Sequence, residues 1–186
     1  IIGGSFTQVS GVTRYAVARL NRDGPVDPTF DASSFITRQP DPNVALIHDL
    51  LVQPDDRILV AGLFSSFSGA NATNLARLNP DGSHDTGFVA EPTYDGVLAL
   101  ALQPDGKVVA AGTFWTPTLC LARFLPDGSL DDFFPHVASF ADDPWLTTVA
   151  LQRDGRILYG GHNLTVTEEG SPLRGYWLGR VHSDGA

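Results

Sequence analysis

Residues Val97 to Phe134, VLALALQPDGKVVAAGTFWTPTLCLARFLPDGSLDDFF, hold three short apolar runs joined by turn signals. Runs of this length, rich in Val, Leu and Phe and bounded by Pro, Asp and Gly, read as β-strands rather than helices. In Gln103-Pro104-Asp105-Gly106 the proline presets a negative φ, the aspartate suits the next position, and the glycine takes the left-handed conformation that returns the chain as a bulged hairpin. A three-run sheet of this size cannot bury both faces alone, so it needs copies of itself as neighbours.

The copies are present. A glycine closes the second run at Gly4, Gly62, Gly112 and Gly161, and an arginine lies in the third run at Arg19, Arg77, Arg123 and Arg180. Five residues after each arginine stands the glycine of an Asp-Gly pair, at Gly24, Gly82, Gly128 and Gly185. Eight residues after the first three arginines comes Asp27, Asp85 or Asp131, and three further on Phe30, Phe88 or Phe134. Equivalent points lie roughly fifty residues apart, the period of propeller blades and related arrays. The expectation is an all-β, β-propeller-like array of four-stranded antiparallel blades, with units at residues 1–43, 44–92, 93–143 and 144–186. A fourth, outer strand is expected near each Asp-x-x-Phe segment. The first and last units read as incomplete, which points to a segment of a larger protein or to a homo-oligomer that completes the propeller.

The first strands are expected at Val44 to Val52, Val97 to Leu102 and Leu146 to Leu151, and the second at Ile1 to Phe6, Ile58 to Phe64, Val108 to Phe114 and Ile157 to Gly161. The third are Tyr15 to Leu20, Asn74 to Leu78, Leu119 to Leu125 and Tyr176 to Val181. In Gln53-Pro54-Asp55-Asp56 the turn glycine has become Asp56, so that turn is expected to be the least regular of its kind.

The segments Leu100 to Gly112 with Leu121 to Phe134, Val52 to Gly62 with Leu75 to Phe88, Ile2 to Phe30, and Leu151 to Gly185 resemble the delta-60 repeat family, a bacterial β-propeller-like repeat. Its units run approximately ALQPDGKILVAG, a variable loop, then ARLNPDGSLDxxF. The resemblance covers nearly the whole chain and implies a module of large secreted or cell-surface bacterial proteins, with no catalytic motif to carry over. Departures are Asp56 for glycine and the segment His162 to Val166, where a Gly-x-Phe ending is expected.

With 186 residues, 18% of them charged, the chain is long enough for one sizeable core. A net charge of -9 argues against a phosphate-binding surface, and no apolar run approaches the length of a membrane span, so neither nucleic acid nor membrane insertion is expected. The single cysteine, Cys120, lies in an apolar run and reads as a small buried hydrophobe.

The Asp-Gly-Ser-x-Asp groups at Asp81 to Asp85 and Asp127 to Asp131 cluster oxygens, and calcium is the one cofactor they leave open. They lack the alternating carboxylates and distal glutamate of an EF-hand loop. In the favoured reading the first aspartate shapes its turn and the second pairs with the arginine of its own unit. The five histidines form no close ligand pair, so no metal site is assigned.

Two places suit a ligand. First strands line the centre of a propeller, and there His48-Asp49 and Thr147-Thr148 place polar groups at positions where the aligned residues of the third unit are the apolar Leu98-Ala99. Trp115 and Trp145, which do not recur between units, sit in or beside variable segments where aromatic faces suit a carbohydrate or protein ligand. The reading is a non-enzymatic binding or scaffold module. Two alternatives stay open: a hydrolase or lyase with its site in the central channel, and a calcium-stabilised stalk.

Overall fold

In the structure, a computed structural model, residues 1–32, 35–36, 45–64, 66–67, 73–90, 95–114, 120–134, 145–166 and 172–185 are described. Every regular element among them is a β-strand, and all pairings are antiparallel. No helix among the described residues is long and apolar enough to cross a membrane.

In the first unit β1 (Ile2–Gly3) pairs with β4 (Val17–Ala18), and β2 (Gln8–Val9) with β3 (Val12–Thr13) makes a short hairpin between them. The next stretch holds β5 (Phe35–Ile36), β6 (Leu46–Val52), β7 (Ile58–Leu63), β8 (Ser66–Phe67) and β9 (Leu75–Leu78). Here β6, β7 and β9 form a three-stranded sheet, while β5 pairs with β8. The third unit is β10 (Val97–Leu102), β11 (Val108–Gly112) and β12 (Leu121–Phe124) in that order, and the fourth is β13 (Trp145–Leu151), β14 (Ile157–Val166) and β15 (Pro172–Val181). The last two strands run ten residues each, so β14 continues through His162 to Val166 where the sequence pointed to an end at Gly161. There β15 supplies a partner for every residue, from Val166↔Pro172 down to Ile157↔Val181.

Among the described residues the main sheets of the last three units have three strands each, and that of the first unit has two. The segment expected to form a fourth is held by one bridge per unit, Leu20↔Val26, Leu78↔His84 and Phe124↔Leu130. One residue later the chain leaves the ladder, because Asp27, Asp85 and Asp131 each accept the backbone N–H two residues ahead, from Thr29, Gly87 and Phe133. That Asx turn competes with continued strand pairing.

Two irregularities recur within the sheets. The pairing of first and second strands shifts between Ile47 and Asp49, Val97 and Ala99, and Leu146 and Thr148, leaving His48, Leu98 and Thr147 as bulged residues. The bulge presses a carbonyl onto the glycine of the second strand: a Cβ at Gly62, Gly112 or Gly161 would lie 2.1, 2.2 or 1.9 Å from the oxygen of Leu46, Gly96 or Trp145. The second irregularity is a positive φ at Ala16, Asn74 and Cys120, three residues before each arginine. Each of these accepts from Gly4, Gly62 or Gly112 and donates to the carbonyl of Phe6, Phe64 or Phe114.

The core lies between units. One cluster joins Val17 and Phe30 of the first unit to Ile58, Val60 and Leu78 of the second. Another joins Leu59, Leu75 and Phe88 to Val108 and Phe124. The third joins Val109, Leu121 and Phe134 to Leu146, Ile157 and Tyr159. A residue that faces one neighbour alternates along the strand with one that faces the other, so β7, β9, β11 and β12 are buried on both faces.

Candidate functional site

The repeated polar residues converge at the seams between units. Arg77 Nε donates to Asp85 Oδ2 at 2.7 Å, and Arg77 Nη1 donates to the Pro126 carbonyl of the next unit, also at 2.7 Å. The guanidinium carbon lies 4.7 Å from the centre of the Phe88 ring. Arg19 does the same with Asp27, Pro80 and Phe30, and Arg123 with Asp131, Ser183 and Phe134. Each arginine therefore staples its own unit to the turn of the following one, with an aromatic ring beneath it.

The chain beyond the phenylalanine adds to the seam. Asp31 N–H donates to the Asp81 carbonyl, and Val89 N–H to that of Asp127. Gly82 and Gly128, with φ of 91° and 92°, lie directly beneath; a Cβ there would stand 2.8 Å from the backbone of Asp31 or Val89. The first aspartate of each group shapes the turn, since Asp81 accepts from both the N–H and the hydroxyl of Ser83, and Asp127 from those of Ser129.

Electrostatics follow the geometry. Burial alone raises the pKa of Asp85, but hydrogen bonds from Arg77 and the Gly87 amide, with the charges of Arg77 and Arg57, hold it below the usual carboxylate value. For Asp131, burial likewise raises it, and Lys107, Arg123 and the Phe133 amide bring it down. Both carboxylates are thus ionised partners of cations across the neutral range.

Of the residues singled out by sequence, Asp49 is committed to backbone. Its Oδ1 accepts from the N–H of Leu50, and its Oδ2 from that of Leu100 on β10 of the neighbouring unit at 2.7 Å. His48 is exposed at its bulge, and Thr147 and Thr148 are both exposed because the bulge at Thr147 breaks the alternation. His48 and Thr147 lie on β6 and β13 with β10 packed between those strands. Trp145 is 48% exposed and faces His162, its partner across β13 and β14, with ring centroids 5.4 Å apart and planes tilted by 55°. Trp115 lies outside the described residues.

Sequence reasoning missed two features. Gln53, Gln103 and Gln152, equivalent residues that open the hairpin turns, each bury a side-chain Oε1 that finds no donor among the described residues. Their repetition before Pro-Asp or Arg-Asp was the available signal. The second is an open pocket of about 350 Å³ between the second and third units, lined by Gln53, Arg57, Arg77, Gln103, Asp105 and Pro126 among others. Among the described residues no three His, Cys, Asp or Glu side chains gather as a metal-binding group would require.

Residues 1–30, 53–88 and 103–134, more than half of the chain, match a domain of unknown function, DUF5122, described as a β-propeller. The chain belongs to this β-propeller family. Each matched segment ends on or just at the phenylalanine beneath an arginine, so the staple and its turns are what the match carries. His48, Asp49, Trp145, Thr147 and Thr148 lie outside the matched segments of this DUF5122 chain. No curated protein matches the sequence.

Proposed function

We propose that the chain is a repeat module of the delta-60 type, built as a propeller of four-stranded blades, that serves as a non-enzymatic binding or scaffold domain of a secreted or cell-surface bacterial protein. Its ligand is a glycan held on the aromatic rim of the fourth unit. The observation that carries this reading is Trp145, half exposed and tilted against His162. An exposed indole with a second ring beside it offers the flat apolar face on which the C–H side of a sugar stacks, and Thr147 and Thr148 on the same strand supply hydroxyls nearby. The net charge of -9 favours neutral or basic sugars over acidic polysaccharides.

The alternative of a hydrolase or lyase centred on His48 and Asp49 is less supported, because the Asp49 carboxylate is already held by two backbone amides. A calcium-stabilised stalk is likewise less favoured, since Asp81 and Asp127 each have Oδ1 taken up by Ser83 or Ser129, and Asp85 and Asp131 are paired with arginine.

The test is isothermal titration of the chain with a panel of neutral oligosaccharides, following tryptophan fluorescence in parallel. Binding that disappears in Trp145→Ala at unchanged melting temperature supports the reading. Binding equal in the variant and parent, or none across the panel, counts against it. Release of shortened products from any panel member would instead favour the enzyme.

A further inference from the structure

The open pocket of about 350 Å³ at the seam of the second and third units is built from two hairpin turns, residues 53–57 and 102–106, with Arg77 and Pro126 beside them. The first and fourth units flank the pair that makes it, so its walls lie wholly inside the chain.

Two sets of polar groups line this pocket with unfilled hydrogen-bonding capacity. Arg57 and Arg77 share one carboxylate, with their Nε atoms 3.4 and 2.7 Å from Asp85 Oδ2. Arg57 Nη1 donates to Asp55 and Arg77 Nη1 to the Pro126 carbonyl, which leaves both Nη2 groups without an acceptor among the described residues. Arg77 is 8% exposed, and these contacts hold its guanidinium in place. The second set is Gln53 and Gln103, whose buried Oε1 atoms find no donor among the described residues. Gln103, 6% exposed, cannot turn its amide over, because Nε2 donates to the Ser183 carbonyl of the fourth unit at 3.0 Å. Asp105 adds a half-exposed carboxylate at the rim. Buried polar groups left unpaired are costly, so a ligand that fills both sets at once gains from each. The rest of the wall is apolar, from Pro54, Leu102, Pro104 and Pro126. At the next seam Lys107, Arg153 and Ser183 stand where this one has Arg57, Pro104 and Pro126, so the combination is particular to this seam.

We propose that this pocket binds a small zwitterionic amino acid with an apolar side chain. The carboxylate of the ligand accepts from Nη2 of Arg57 and of Arg77, and its ammonium donates to Gln53 Oε1, Gln103 Oε1 and Asp105. Its side chain lies against the prolines and Leu102. A zwitterion suits a chain of net charge -9, whose field repels a simple anion from the same arginines. The volume lies at the small end of ligand pockets and takes a molecule of this size rather than an oligosaccharide. The proposal does not rest on the glycan reading, because Trp145 is no part of this pocket.

Isothermal titration with L-leucine tests it, alongside leucinamide, which lacks the carboxylate, and isocaproate, which lacks the ammonium. Leucine is expected to bind with a dissociation constant of about 1 mM or below. Each analogue should bind at least about tenfold more weakly, since one charged end is gone. Arg57→Gln should weaken leucine about tenfold and Asp105→Asn severalfold. Both positions are half exposed, so the melting temperature should stay near that of the parent. Trp145→Ala should leave leucine affinity unchanged, which separates this site from the rim. No saturation by leucine up to about 20 mM overturns the proposal. So does either analogue binding as tightly as leucine, or either pocket variant keeping the affinity of the parent.

Discussion

Asp56 occupies the position that Gly106 and Gly155 hold in the following units, and it adopts the same left-handed backbone, with φ 63° against 85° and 82°. The turn is no less regular than theirs: Asp56 N–H reaches the Gln53 carbonyl at 3.0 Å, and Gly106 reaches that of Gln103 at 2.9 Å. The loss of glycine is absorbed as local strain in an otherwise unchanged hairpin. Replacing Asp56 with Gly is therefore expected to stabilise the chain by about 0.5–1 kcal/mol in urea unfolding. Acid provides a second test at this scale. Asp85 and Asp131 have native pKa values below the ordinary 3.8, so their contribution is fully present above that pH and is lost as the pH falls through the lowered native values. The carboxylate contribution should be constant from neutral pH down to about 5 and fall steeply below about 4, with a shallower fall in Asp131→Asn, on top of a gentler decline below pH 6.5 from His48 and His84, whose pKa values burial lowers.

Among the elements, the strands were legible because apolar runs and Pro-Asp-Gly turns are local signals: Val97 to Leu102 was read to the residue. The bulges at His48, Leu98 and Thr147 were not legible, since an extra residue in one strand appears only once its partner is known. This changed the reading of the candidate site. His48-Asp49 looked like a polar pair in a channel, whereas Asp49 ties β6 to β10 through Leu100. The shortened fourth strand is a similar case, because the Asx turn at Asp85 depends on its pairing with Arg77. The bulge does explain the glycine that ends each second strand. Gly112→Ala would force a methyl within 2.2 Å of the Gly96 oxygen and is expected to cost about 3 kcal/mol. Gly4→Ala, at the equivalent position, finds its nearest atom at 3.7 Å and should cost less than about 1 kcal/mol. Thermal unfolding of the two variants side by side decides this.

Across the whole molecule, the three buried clusters are seams, so a unit gains most of its stability from its neighbours. The pairing of each arginine with the aspartate eight residues on could be read from spacing, but the carbonyl it reaches in the next unit could not, because Arg77 and Pro126 are joined only by the fold. The central claim is that this repeated polar pattern holds units together. The four arginines provide the test, being equivalent in sequence and different in what covers them. Arg77 and Arg123 have side chains 9% and 7% exposed, Arg19 is 32% exposed, and Arg180 is open. The measurement is equilibrium urea unfolding of the four Arg→Gln variants. Arg77→Gln and Arg123→Gln should each lose about 2 kcal/mol, because a buried carboxylate loses the nearer of its two cations, Arg57 or Lys107 remaining at 3.4 or 3.3 Å. Arg19→Gln should lose about 1 kcal/mol, and Arg180→Gln no more than about 0.5 kcal/mol. Equal losses at all four positions, or a loss at Arg180 as large as that at Arg123, would contradict the account.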